Sequence, residues 1–71
     1  MSIEHRASEA LYLVWVNERL GLFDAALVAE IAELQEAIEA SDIPARDFFL
    51  ARLADASARA ARIGSSRQLV H

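Results

Sequence analysis

The chain has 71 residues, a net charge of −4 and no cysteine, which limits it to one small domain and excludes disulfides and thiolate metal sites. A domain of this size buries only about 60% of the surface of its unfolded chain, so we expect a second copy to help stabilise it. The apolar run from Leu11 to Val16 is far shorter than the roughly 20 residues that span a membrane, and no signal-peptide pattern precedes it. These features predict a cytoplasmic protein with no membrane partner.

The composition favours helix, because alanine, leucine, glutamate and arginine dominate and only two glycines and one proline interrupt the chain. The first predicted helix covers about residues 3–20. Ser2 suits its N-cap, and Gly21 suits the left-handed residue that follows a helix end.

The second predicted helix covers residues 25–41, with Asp24 as its N-cap. Its apolar residues repeat at spacings of four, three and four: Leu27, Ile31, Leu34 and Ile38. This spacing is typical of a helix that packs against another helix.

The third predicted helix covers residues 44–63, because Pro44 suits a first turn and Gly64 suits a helix end. Its apolar residues are Phe49, Leu53, Ala56, Ala60 and Ile63. Residues 1–64 are therefore expected to form a single helical domain, and residues 65–71 a flexible tail.

A short connection between the second and third helices predicts an all-α fold with a central antiparallel helical hairpin. Residues 24–43 carry six acids and no base, whereas residues 44–71 carry five arginines and two acids. Opposite charges therefore favour the same pairing, although exposed ion pairs contribute only about 0–1 kcal/mol each.

The segment from Leu11 to Val16 distributes apolar side chains around the whole helix, since successive residues are about 100° apart. The hairpin covers one side of such a helix, and each large apolar side chain left in water forfeits about 1.5–3 kcal/mol. We therefore expect two chains to pair into a helical-bundle homodimer. The residues expected at the dimer interface are Leu11, Leu13, Val14, Val16, Phe49 and Leu53.

Residues 30–38, EIAELQEAI, resemble the acidic helix of MazG-type nucleotide pyrophosphohydrolases. Those all-α enzymes hold magnesium with an E-E-x-x-E pattern and a later E-x-x-D on a facing helix, and Glu30 and Glu33 match two of these positions. Ala29 takes the place of the first acid, and the third helix offers Asp47 and Asp55 without the paired glutamate. The resemblance implies a magnesium-dependent enzyme as one alternative, and an ordinary solvated helix face is the other interpretation.

Arg52, Arg59 and Arg62 fall near one side of the third helix, where they suit contact with phosphates. Rop-type RNA-binding proteins, which are small acidic helical-hairpin dimers, are similar in architecture, so nucleic-acid binding is a second alternative. The net negative charge opposes it, because binding to phosphates is driven by an excess of cations. Asp55 is also spaced to pair with these arginines within the helix.

No nucleophile turn, glycine-rich phosphate loop or converging set of ligands is recognisable, so we expect no catalysis, no cofactor and no bound metal. The glutamates of the second helix suit attraction to a basic surface, such as a transcription factor's DNA-binding domain, and exposed aromatic residues suit anchoring. We therefore expect a protein-binding regulator, an inhibitor or anti-activator of the bacterial or phage type. The residues expected to contact its partner are Glu30, Glu33, Glu36, Glu39, Tyr12, Trp15 and Phe48. A charged face kept for solubility, and aromatic residues packed in the core or a dimer, are the alternatives.

Overall fold

The computed structural model describes residues 2–68, which form three helices and no strand. The helices are α1 (Ile3–Leu20), α2 (Ala25–Glu39) and α3 (Arg46–Gln68), and each packs against the other two. The prediction of an all-α fold with a central α2–α3 hairpin is confirmed. Pairing into a homodimer remains a prediction.

The first helix begins and ends where its cap residues predict, and the second begins where Asp24 predicts. The Ser2 hydroxyl accepts a hydrogen bond from the His5 amide, and the Asp24 carboxylate accepts from the amides of Ala26 and Leu27. Gly21 closes α1 in the left-handed region, at φ 67°. The three hydrogen bonds accepted by Ser2 and Asp24 satisfy backbone amides that a helix N-terminus would otherwise leave unpaired.

The connection between α2 and α3 is longer than the sequence predicts. α2 ends at Glu39 rather than at residue 41, and α3 begins at Arg46 rather than at Pro44. The Ser41 hydroxyl donates to the carbonyl of Ile38, and this local bond competes with a further helical turn. The Arg46 guanidinium donates twice to the carbonyl of Glu39, at 3.2 and 2.8 Å, so the first residue of α3 closes the end of α2.

The prediction that Gly64 ends the third helix is wrong, because α3 continues to Gln68. Gly64 instead gives room to the ring of Phe23, which would lie only 2.7 Å from a Cβ atom at that position. Residues 65–68 therefore belong to α3 and not to the expected tail. The rest of that tail, residues 69–71, lies outside the described residues.

The core lies along the apolar repeats of α2 and α3. Its largest fully buried side chains are Ile31, Leu34, Ile38 and Leu53. α1 contributes small residues and one larger one, namely Ala7, Ala10 and Val14. Val14 and Leu53 are thus buried within one subunit, which corrects their expected place at a dimer interface.

Candidate protein-binding surfaces

Three glutamates lie on the outward side of α2, and we call them the acidic face: Glu33, Glu36 and Glu39. All three are exposed, and no ion pair formed among residues 2–68 uses their carboxylates. Their spacing of three residues places them within about 9 Å along the helix axis. Exposed alanines lie beside them at positions 32, 37 and 40, so the carboxylates project from a smooth surface.

Glu30, the fourth acid expected to contact a partner, belongs to the fold instead. Both of its carboxylate oxygens accept a hydrogen bond at 3.1 Å from Nη2 of Arg6, on α1. Both side chains are partly buried. Glu30 therefore fastens α2 to α1 and is not part of the acidic face.

The arginines of α3 also differ from expectation, because no ion pair among the described residues joins them to a carboxylate of α2. Arg59 bonds Asp55 at 2.8 Å within α3 and Glu18 of α1 at 3.0 Å. The hydrogen bond with Asp55, followed by that with Glu18, raises the pKa of Arg59. Among the described residues, α2 and α3 are joined by the hydrogen bonds from the Arg46 guanidinium to the carbonyl of Glu39.

Two aromatic residues expected to bind a partner lie together on α1. Tyr12 and Trp15 are 61% and 54% exposed, and their rings stack with centroids 6.2 Å apart. The Arg19 guanidinium lies 4.8 Å from the Trp15 ring, a cation–π distance. This packing fixes the orientation of the tryptophan without covering it.

The third aromatic residue, Phe48, lies on α3 and is 58% exposed. Its ring meets the edge of Phe49 at 5.7 Å, and the Arg52 guanidinium lies 6.0 Å from it. Phe49 was expected at the dimer interface. It is half-buried and packs against the core of its own subunit, so only part of its ring is available to a second copy.

A groove of about 330 Å³ runs between α1 and α3, and we call it the α1–α3 groove. Its lining is partly apolar, from Leu11, Val14, Trp15 and Ala56, and partly charged, from Glu18, Arg52, Asp55 and Arg59. In a bundle of three mutually packed helices, the groove between two of them faces away from the third. The α1–α3 groove and the acidic face therefore lie on opposite sides of the molecule.

A further part of α1 faces solvent away from both neighbours, and we call it the outward surface of α1: Tyr12, Leu13, Val16 and Leu20. Tyr12, Leu13 and Leu20 are exposed and Val16 is half-exposed. The expectation that a single subunit leaves part of the Leu11–Val16 segment uncovered is therefore met by Tyr12, Leu13 and Trp15.

The acids that resemble a magnesium site do not converge on one. Glu30 is bound by Arg6, while Glu33 points outward, and no group of three or more His, Asp or Glu side chains in residues 2–68 is arranged to hold a metal ion. The residues present do not fit the ligand set that the MazG-type resemblance implies. In the same part of the chain, no helix has the length and apolarity needed to cross a membrane.

Comparisons of the chain with protein-family models, with curated protein sequences and with solved structures find no match.

Two features described above were not predicted from the sequence: the exposed Leu20 and the Arg6–Glu30 pair. Leu20 continues the apolar side formed by Leu13 and Val16 at intervals of three and four residues, which is a signal that could have identified it. The Arg6–Glu30 pair joins residues 24 positions apart, and no local pattern indicates it.

Proposed function

We propose that this protein is a non-enzymatic regulator that binds a basic surface of another protein through the acidic face of α2. In this proposal it acts in the cytoplasm as an inhibitor or anti-activator, and the partner surface it masks is that of a DNA-binding domain. The observation that supports the proposal most strongly is that Glu33, Glu36 and Glu39 project together from a helix that carries no basic residue.

The distribution of cations adds support. Arg59 is held by Glu18 and Asp55 on the far side of the bundle, and Arg6 is held by Glu30. The Arg46 guanidinium contacts the backbone of Glu39 and the carboxylate of Asp47, and not the carboxylates of the acidic face. A negative field from α2 therefore remains available to attract an arginine- or lysine-rich surface, mainly by speeding encounter.

A charge-matched comparison tests the proposal. One variant combines Glu33→Gln, Glu36→Gln and Glu39→Gln, and the control combines Glu4→Gln, Asp42→Asn and Asp47→Asn, which changes the net charge equally outside the acidic face. Each immobilised chain is exposed to nuclease-treated bacterial extract. We expect a DNA-binding protein that the wild type and the control retain, that the acidic-face variant loses, and that salt releases.

The protein identified in this way is then tested for DNA binding by gel shift. Inhibition by the wild type and the control, but not by the acidic-face variant, supports the proposed function. Equal retention by all three chains overturns it. Retention that nuclease abolishes, and that Arg52→Ala with Arg59→Ala also abolishes, favours the nucleic-acid alternative instead.

A further inference from the structure

We propose that a second copy of this chain packs antiparallel against the outward surface of α1. The inference does not depend on the proposed function, because the acidic face belongs to a different helix. The stretch from Ala10 to Asn17 carries no charge, and Tyr12, Leu13 and Trp15 within it remain exposed. Contiguous apolar surface of this kind on a small protein marks a contact site.

The charges that border this surface indicate what covers it. Glu9 precedes Val14 by five residues and Arg19 follows it by five, and both are exposed. In an antiparallel pair with its two-fold axis level with Val14, Glu9 of each copy lies at the same height as Arg19 of the other. A parallel pair would instead place Glu9 beside Glu9 and Arg19 beside Arg19.

The apolar positions follow the same symmetry. Tyr12 and Val16 lie two residues to either side of Val14. Tyr12 of one copy therefore lies at the same height as Val16 of the other copy across the proposed axis. A two-fold interface requires a surface that complements itself in this way. Antiparallel packing also places the positive end of one helix dipole next to the negative end of the other. Val14 is buried in its own subunit and marks only the height of the axis.

Sedimentation equilibrium from low micromolar to millimolar concentration provides the first test. We expect a reversible dimer for the wild type. Tyr12→Glu should weaken dimerisation by roughly 100-fold or more, because the symmetry buries the new carboxylate twice. Phe48→Glu is the matched control, since it places the same charge at a similarly exposed aromatic residue on α3, and it should leave the dimer intact.

Circular dichroism shows whether each variant keeps its helices. A wild-type monomer at every concentration overturns the proposal. A dimer that Tyr12→Glu leaves unchanged overturns it as well.

Charge reversal tests the antiparallel direction. Glu9→Arg and Arg19→Glu should each weaken dimerisation several-fold, because each places like charges together at both ends of the interface. The double variant should restore it, since the pairs form again with their signs exchanged. Failure of the double variant to recover above the single variants contradicts the antiparallel register.

Cross-linking gives an independent measure of direction, because the chain has no cysteine of its own. In the proposed register the two Leu13 positions are about 3 Å apart along the helix axis, and the two Leu20 positions are about 18 Å apart. A short thiol cross-linker should therefore join chains carrying Leu13→Cys and leave those carrying Leu20→Cys unjoined. Equal cross-linking at both positions indicates a parallel pair and overturns the proposal.

Discussion

The ring of Phe23 lies against Gly64, so close that a Cβ atom on the glycine would come within 2.7 Å of Cε1 and 2.8 Å of Cδ1. Phe23 belongs to the turn between α1 and α2, whereas Gly64 lies inside α3. The glycine therefore lets the α1–α2 turn approach the far end of the hairpin. Glycine in a helix interior usually costs about 1 kcal/mol relative to alanine. At position 64 this cost is offset by the contact with Phe23.

A double-mutant cycle tests this relationship. Gly64→Ala should stabilise the Phe23→Ala variant by about 1 kcal/mol, because alanine is the better helix former once the ring is gone. In the wild type, the same change displaces the ring and should give no gain or a loss, so the two backgrounds should differ by about 1 kcal/mol or more. Urea denaturation measures both effects, and equal gains in the two backgrounds would show that the ring does not restrain position 64.

Ala45, immediately before α3, adopts a φ of 62°. An alanine in the left-handed region is strained by about 1–2 kcal/mol, whereas glycine is not. Ala45→Gly should therefore raise the free energy of unfolding by about 0.5–1 kcal/mol after the extra entropy of unfolded glycine is subtracted. Ala51→Gly, at an exposed position inside α3, is the control and should lower it by a similar amount. A loss at both positions contradicts the assigned geometry of Ala45.

The two neighbouring glutamates of α2 should respond differently to neutralisation. Glu30→Gln should destabilise the fold, because the amide cannot accept both charge-assisted bonds from Arg6. Glu33→Gln should change stability by less than about 0.5 kcal/mol, since its carboxylate is exposed and forms no ion pair with the described residues.

A cycle between Arg6→Gln and Glu30→Gln should give a coupling of about 0.5–1 kcal/mol that shrinks as salt is added, because both side chains are about two-fifths exposed. Thermal unfolding at low and high salt provides the measurement. A coupling near zero at low salt is inconsistent with this contact between α1 and α2.

Leu53 and Leu13 were both expected at a dimer interface from the sequence, but they should contribute differently to the stability of the isolated subunit. Leu53 is fully buried, so Leu53→Ala should cost about 2–5 kcal/mol, a large part of the stability of a small domain. Leu13 is 39% exposed, so Leu13→Ala should cost the dilute subunit only about 1 kcal/mol. Chemical denaturation measures the free energy of unfolding of both variants, and its dependence on denaturant concentration is compared between them. A similar loss of stability in the two variants would contradict the placement of Leu13.

The features predicted well from the sequence depend on residues that are neighbours along the chain. Ser2, Gly21 and Asp24 act on helix ends within a few positions of themselves, so their residue types suffice to predict them. The buried repeat of α2 is likewise a local spacing, and all four of its residues are buried.

The features that were missed depend on distant residues or on strain. Gly64 after an apolar repeat indicates a helix end, whereas it lies inside α3 and leaves room for the ring of Phe23, which is distant in sequence. Ala45 gives no sign of its left-handed backbone, because that conformation is unfavourable for alanine. The acidic face was expected to include Glu30, since the counts of charge along the chain do not reveal that Arg6 reaches it from α1.

The α1–α3 groove also has a thermodynamic consequence. It lies between two helices that the chain does not join directly, and its space is not filled by the protein's own side chains. Atoms facing that space lack part of the dispersion attraction that a packed interior provides. A molecule that occupies the groove would restore these contacts and link both helices, so its binding would raise the melting temperature of the chain by an amount that grows with the logarithm of its concentration above the dissociation constant. Calorimetry would therefore detect occupancy of the groove directly, as a rise in the melting temperature.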